Sequence, residues 1–467
     1  MRVTAPAMAG ALSWRSVLDG KQSTASLMIA RDVAARLKTP EQVETAAESS
    51  RRQTSPKTTN WQPHGVARGY AGLALLWSYF DDCFPAEGWD VTGKRYLELA
   101  LRAAEQHSTL HPGIYSGLGG IAFAAACLSR EGTRYRRLLA AIDAALIPKT
   151  LDLTRRIRQH KDGPSVSEFD VISGLAGIGR YLLLRRDVAA CGAALELVLK
   201  SLIELADGVD EAPRWRTPNE LLQSESWRNV YTHGNLNCGL AHGIPGPLAL
   251  LSLARISGVR IGGLEEAIDR IANWLCGNRV DDAWGMNWTT AIPLTADKQI
   301  WLGQCQAGAR HGDGSRGLAA CKPSRNAWCY GSPGVARTLW LAGTALDNRR
   351  YRESAVEAME AVYRRPPRVR QIDSPTFCHG VAGLLQITLR FASDTGLPMF
   401  ITAARALQEQ IISAFEPESV VGFRNVEAGG IRVDQPGVLD GSAGVALVLL
   451  AAATSVEPRW DALFLLS

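Results

Sequence analysis

Along the chain, one pattern of apolar and polar positions recurs seven times: Gly-x-x-Gly followed at once by an apolar, helix-forming run. The copies read GYAGLALLW, GLGGIAFAA, GLAGIGRYLL, GIPGPLALL, GSPGVARTLW, GVAGLLQITL and GSAGVALVLL, with first glycines at Gly69, Gly117, Gly174, Gly243, Gly331, Gly380 and Gly441. One such pair carries no information, but seven with the same apolar tail make a repeated unit. Each tail predicts a helix buried on most of its faces. The segments that follow, such as KRYLELALRAAEQH, YRRLLAAIDAAL, GLEEAIDRIANWLC and RRYRESAVEAMEAVYR, predict amphipathic helices with their charges on one side. First glycines 48 to 88 residues apart leave room for two helices and a variable loop. An inner apolar and an outer amphipathic helix, seven times over, predict an all-α fold, an α/α toroid (barrel) of seven helical hairpins. The glycines are expected to provide positive φ and close backbone approach at the start of each inner helix. All seven inner N-termini are expected at one end of the barrel.

The residues just before the first glycines are Arg68, Ser116, Ser173, His242, Tyr330, His379 and Asp440. A scaffold turn in an α-solenoid binding protein, the competing reading, has no need of two His, a Tyr and an Asp there. Reactive side chains delivered to one rim point to a site. Asp440 could also face the mouth, but reads more simply as a helix N-cap.

Composition narrows the class. With 467 residues, 46% hydrophobic and 21% charged, the chain is neither disordered nor fibrous, and nine cysteines without a C-x-x-C pair fit a reducing compartment, the cytoplasm. A net charge of +5 with scattered Arg gives nucleic-acid binding no support. The longest apolar run, residues 445–453, is far short of the about 20 residues a membrane span needs. Residues 1–60 read as a partly flexible N-terminal extension with one helix near residues 26–37, and residues 61–467 as the toroid. An insertion around 277–326 interrupts it. There WGMNWTTAIPL alternates like a strand, and the polar, Gly-rich loop 305–324 is either a lid or an idle surface insertion.

Two copies carry cysteine at the rim: Cys329 lies two residues before Gly331, and Cys378 and His379 immediately precede Gly380. If the repeats are equivalent in space, two thiols and an imidazole converge as a three-ligand zinc set of the catalytic type. The linear spacing alone is equally that of buried, inert cysteines. Two thiolates neutralise Zn²⁺, so such a centre suits activation of a third thiol better than hydrolysis.

At these residues the sequence resembles the lanthionine synthetase C family, the LanC-type lanthipeptide cyclases. The matching strings are FDVISGLAGIGRYLL (169–183), GLAHGIPG (239–246), AWCYGSPG (327–334) and CHGVAG (378–383), and the bare glycine frame extends the likeness over residues 64 to 450. The resemblance implies an α/α toroid holding one Zn²⁺ and adding peptide Cys thiols to dehydroalanine or dehydrobutyrine, giving lanthionine or methyllanthionine thioether rings. It implies Cys329, Cys378 and His379 as the metal ligands. By the same resemblance His242 is the acid/base residue, Asp170 an active-site carboxylate that orients it, binds substrate or simply caps a helix, and Arg325 and Tyr330 line the site or orient the ligands. Implied partners are a dehydrated precursor peptide with its leader and a separate lanthipeptide dehydratase, with association to a membrane-bound biosynthetic complex possible and no nucleic acid. The alternatives are a LanC-like protein adding glutathione to dehydrated residues and a noncatalytic peptide-binding toroid. A glycosidase on this scaffold would want paired carboxylates that the mouth motifs lack.

Overall fold

The computed structural model describes residues 13–54, 60–209, 212–296 and 323–467. Each of the seven glycine pairs opens a helix: Tyr70–Cys83, Leu118–Cys127, Leu175–Leu184, Pro245–Ile256, Ser332–Ala345, Val381–Thr395 and Ser442–Ala453. These helices are buried over most of their length, as sequences without a polar face require. Between them run Trp89–Glu105, Arg136–Gln159, Ala189–Ala206, Leu264–Gly277, Arg349–Arg364 and Pro398–Ser413, which bury one side and expose their charges. The fold is all-α, with strands confined, among the described residues, to four two-stranded ribbons. No helix among the described residues is long and apolar enough to cross a membrane.

The chain divides into two compact units. In the unit of residues 145–370 and 463–467, the helices Leu175–Leu184, Pro245–Ile256 and Ser332–Ala345 lie side by side in that order, each backed by the amphipathic helix that follows it. Residues 463–466 are buried in this unit. Their carbonyls are bound by buried side chains: the Trp328 indole N–H donates to Phe464 O at 3.0 Å and Arg337 Nε to Leu466 O at 2.8 Å.

The unit of residues 13–144 and 371–462 sets Val381–Thr395, Ser442–Ala453, Tyr70–Cys83 and Leu118–Cys127 side by side, so the last apolar helix lies against the first. The outer layer over Ser442–Ala453 comes from Gly20–Arg36, which also packs on Pro398–Ser413. The N-terminal extension thus carries two packed helices, Gly20–Arg36 and Pro40–Gln53, where the sequence suggested one at 26–37. The first begins earlier because Asp19 and Gln22 form a capping box, a D-x-x-Q signal visible in the sequence.

The strand-like stretch WGMNWTTAIPL is two strands, Gly285–Asn287 pairing with Val280–Asp282 and Ala291–Pro293 pairing with Asn235–Asn237. The ladder breaks where Trp288 turns inward and donates its indole N–H to Leu275 O at 2.8 Å. The loop expected at 305–324 lies outside the described residues but for its last two.

One local device starts most of the apolar helices. The first N–H groups of a helix have no partner within it. In five copies the residue after the first glycine donates to the carbonyl seven residues upstream: Tyr70 to Pro63, Leu118 to His111, Ile244 to Asn237, Val381 to Ser374 and Ser442 to Gln435, at 2.9 to 3.2 Å. The preceding loop therefore folds back onto the helix start, and both glycines lie under it. At the seventh pair a Cβ on Gly441 would sit 2.4 Å from Gln435 O, and one on Gly444 2.0 Å from Val438 O. Close approach, rather than the expected positive φ, is what most copies need: Gly331, at φ 91°, is the one first glycine of the seven in the left-handed region.

The folded-back loops are also tied to one another through positions two or three residues before the first glycine. In one unit Cys378 N–H donates to Leu439 O, Leu439 N–H to Ala67 O and Ala67 N–H to Tyr115 O; in the other Val171 N–H donates to Ala241 O and Ala241 N–H to Cys329 O. Gly444→Ala, which forces a methyl group onto a fixed carbonyl, is expected to cost about 2 kcal/mol or more, read as a lowered midpoint of urea unfolding; an unchanged midpoint would show that the loop moves aside freely.

Candidate active site

His242 and Asp170 meet in the unit of residues 145–370. Asp170 closes the short helix Val166–Phe169 and is wholly buried. Burying a carboxylate is costly unless its oxygens are compensated. Here Oδ1 accepts the N–H groups of Ser173 (2.7 Å) and Gly174 (2.8 Å), at the start of Leu175–Leu184, and Oδ2 lies 2.7 Å from His242 Nδ1. The two functions weighed for this residue, helix capping and orientation of His242, fall on its two oxygens. An ionised carboxylate only accepts, so Nδ1 carries the proton and Nε2 is left as the basic nitrogen. The His242 side chain is 28% exposed.

Tyr330 stands beside it, ring centroid 6.3 Å from the imidazole, and Asn237 Nδ2 donates to its hydroxyl at 3.3 Å. The amide orientation follows from the other end of Asn237, whose Oδ1 accepts Gly239 N–H at 2.9 Å. Cys329 is buried one residue earlier, its carbonyl held by Ala241 N–H. Arg325 is exposed, on the segment whose carbonyl lies so near Gly331 that a Cβ there would be 1.7 Å away.

In the other unit, Cys378, His379 and Asp440 present a sulfur, an imidazole nitrogen and a carboxylate oxygen that all lie within 4.8 Å of one another. Cys378 and His379 are half-buried and Asp440 is buried. A thiol and an imidazole are donors that Zn²⁺ prefers, so Cys378 and His379 fit that ion. Asp440 is not the N-cap its position suggested: the cap of Ser442–Ala453 is Gly441, without a side-chain bond. Its carboxylate is held instead by Arg68, through Nε at 2.8 Å and through Nη2, and its other oxygen faces His379 Nδ1 at 3.8 Å. Burial works against the Arg68 charge, but the facing Asp440 carboxylate outweighs it and holds the guanidinium protonated. Sequence reasoning gave Arg68 no role. The available signal was register, since Arg68, His379 and Asp440 all stand directly before a first glycine.

Cys238, close to His242 in sequence, is a structural thiol. Burial pushes its pKa up to about 12, and its Sγ donates to Leu236 O at 3.5 Å. At pH 7 about one molecule in 10⁵ would carry the thiolate. Cys238 should therefore resist iodoacetamide in the folded protein and react after unfolding, as peptide mapping would show; rapid labelling of the native chain would contradict its burial.

The chain is similar to known proteins in both sequence and fold. The model of the lanthionine synthetase C-like protein family matches residues 60–465. The chain is 26% identical over 377 residues to the nisin biosynthesis protein NisC of Lactococcus lactis subsp. lactis, covering 79% of this chain and 84% of that one. Its structure resembles that of nisin cyclase with a TM-score of 0.73 at 23% identity, over 94% of this chain and 98% of the other. That likeness shows the fold, the α/α toroid of nisin cyclase. The chain belongs to the lanthionine synthetase C-like family, and is an enzyme of its lanthionine synthetase (cyclase) type.

Proposed function

We propose that the chain is a zinc-dependent lanthipeptide cyclase, joining Cys thiols of a dehydrated precursor peptide to dehydroalanine or dehydrobutyrine as lanthionine and methyllanthionine. The observation that carries this reading is the His242–Asp170 pair, a partly exposed imidazole with its tautomer fixed by a buried carboxylate. Cys378 and His379 would hold the metal, with Cys329 as the third ligand by the family's motifs. Bound there, Zn²⁺ would supply a positive centre that keeps a cysteine sulfur as the thiolate.

The chemistry left to the chain's own residues is proton transfer. As the sulfur bonds to Cβ, the C=C π pair moves onto Cα and the neighbouring carbonyl, and the resulting enolate needs a proton at Cα. His242, protonated at Nε2, delivers it, while Asp170 stabilises the imidazolium and keeps the ring from turning. The thiol proton passes to solvent as the thiolate forms, and His242 Nε2 takes a proton from solvent before the addition, so hydrogen balances over the cycle. Tyr330 and Arg325 are proposed to line the site, with Arg325 opposing the enolate's charge. NisC is named for nisin biosynthesis, and this kinship supports a precursor-peptide substrate; that a separate dehydratase prepares it in the cytoplasm is proposed from the family resemblance and the cysteine usage.

Elemental analysis should find about one zinc per wild-type chain and none after Cys378→Ala, with ring closure lost in the same variant. His242→Ala should keep its zinc yet fail to consume the free thiols of a dehydrated, Cys-containing peptide. Cyclisation by metal-free Cys378→Ala would end the metal mechanism, and consumption of added glutathione in place of the peptide's own thiols would favour the intermolecular alternative. Asp170→Asn, which leaves the cap but mis-sets the imidazole tautomer, should slow ring closure by about a hundredfold or more with zinc retained. A rate within twofold of wild type would remove Asp170 from the mechanism.

A further inference from the structure

The metal-binding reading of Cys378 and His379 leaves Arg68 and Asp440 unexplained, and the geometry points to a job for them. We propose that Arg68 and Asp440 are positioning residues that hold the His379 ring for the metal, without ligating it; this role rests on the zinc reading above.

Two strings of contacts cross the same three loops. The first is backbone: Cys378 N–H donates to Leu439 O at 2.9 Å, and Leu439 N–H to Ala67 O at 3.0 Å. The second is made by the next residue of each loop: His379 Nδ1 lies 3.8 Å from Asp440 Oδ1, and Arg68 Nε lies 2.8 Å from Asp440 Oδ2, with Nη2 on the same oxygen. Cys378 is thus fixed by its main chain and its neighbour His379 by the side chains one position along. Asp440 is 3% exposed, so its charge is tolerable only because the guanidinium is there. That partnership argues against direct ligation. Oδ2 already accepts two N–H groups, and a carboxylate so neutralised is a weak donor to a cation while Oδ1 still faces the imidazole. A carboxylate behind a ligating histidine orients the ring and raises its basicity, and loss of such a partner weakens metal binding by about 10- to 100-fold.

The test is zinc affinity, measured by competition with a chromophoric chelator on full-length protein, with Co²⁺ spectra alongside. Asp440→Asn and Arg68→Met are each expected to release zinc at least about tenfold more readily than wild type, with Arg68→Lys recovering part of the loss. The Co²⁺ bands, which report the ligand atoms, should keep their positions in all three. Bands displaced in Asp440→Asn would make Asp440 a ligand and overturn the positioning role, and so would wild-type affinity in both Asp440→Asn and Arg68→Met. Should Asp440→Asn fail to fold, Arg68→Met decides alone, because Arg68 is the more exposed partner and its hydrogen bonds go to Asp440. A wild-type chain that binds no zinc fails the metal reading itself and takes this role with it. Zinc bound equally well by wild type and variants leaves the function standing and removes the pair.

Discussion

The structure depends on the loop that turns back over the start of most of the apolar helices, five of the seven. Its carbonyl takes the helix's first free N–H, and that bond requires glycine at the two positions lying under it. His242, Tyr330, Cys329, Cys378, His379, Arg68 and Asp440 stand one or two residues before a first glycine, whereas Asp170 stands four before and Arg325 six; at Cys378, Cys329 and Ala241 the backbone is also tied to the neighbouring loop. Side chains there lose little further freedom on ordering, which is what a site that must hold its groups in place requires. The repeats supply a rigid frame, and chemistry enters by changing single residues in it.

Much of this was legible because the frame is periodic. Glycine pairs followed by apolar runs gave the helices, their two layers and the fold class, since a face without polar residues has one place to go. The adjacency of Asp170 and His242 was legible only through resemblance: 72 residues part them, and no local pattern states that their loops touch. Gly331 aside, the glycines answered a demand for space rather than for left-handed backbone, a distinction that composition does not encode because glycine satisfies both.

Arg68 and Asp440 were hidden for a different reason. Each has an adequate local explanation, a charged surface residue and a helix cap, and only the packing of Ser442–Ala453 against Tyr70–Cys83 brings them together. Pairings between the ends of a long chain leave no trace in windows of ten or twenty residues. The second N-terminal helix was missed more simply, although Thr39, Pro40 and Gln42 spell a helix start.

The outer helix Gly20–Arg36, lying on Ser442–Ala453, also sets an order on assembly. During synthesis the residues of one unit, 145–370, emerge almost contiguously and need only the short tail 463–467 to complete their packing. The other unit begins with residues made first and must wait for 371–462, so its early apolar helices spend most of translation without their neighbours. Contacts of such sequence separation form slowly and leave apolar surface uncovered meanwhile. The unit that carries Cys378 and His379 is therefore the one whose packing is completed only after residues 371–462 have been made.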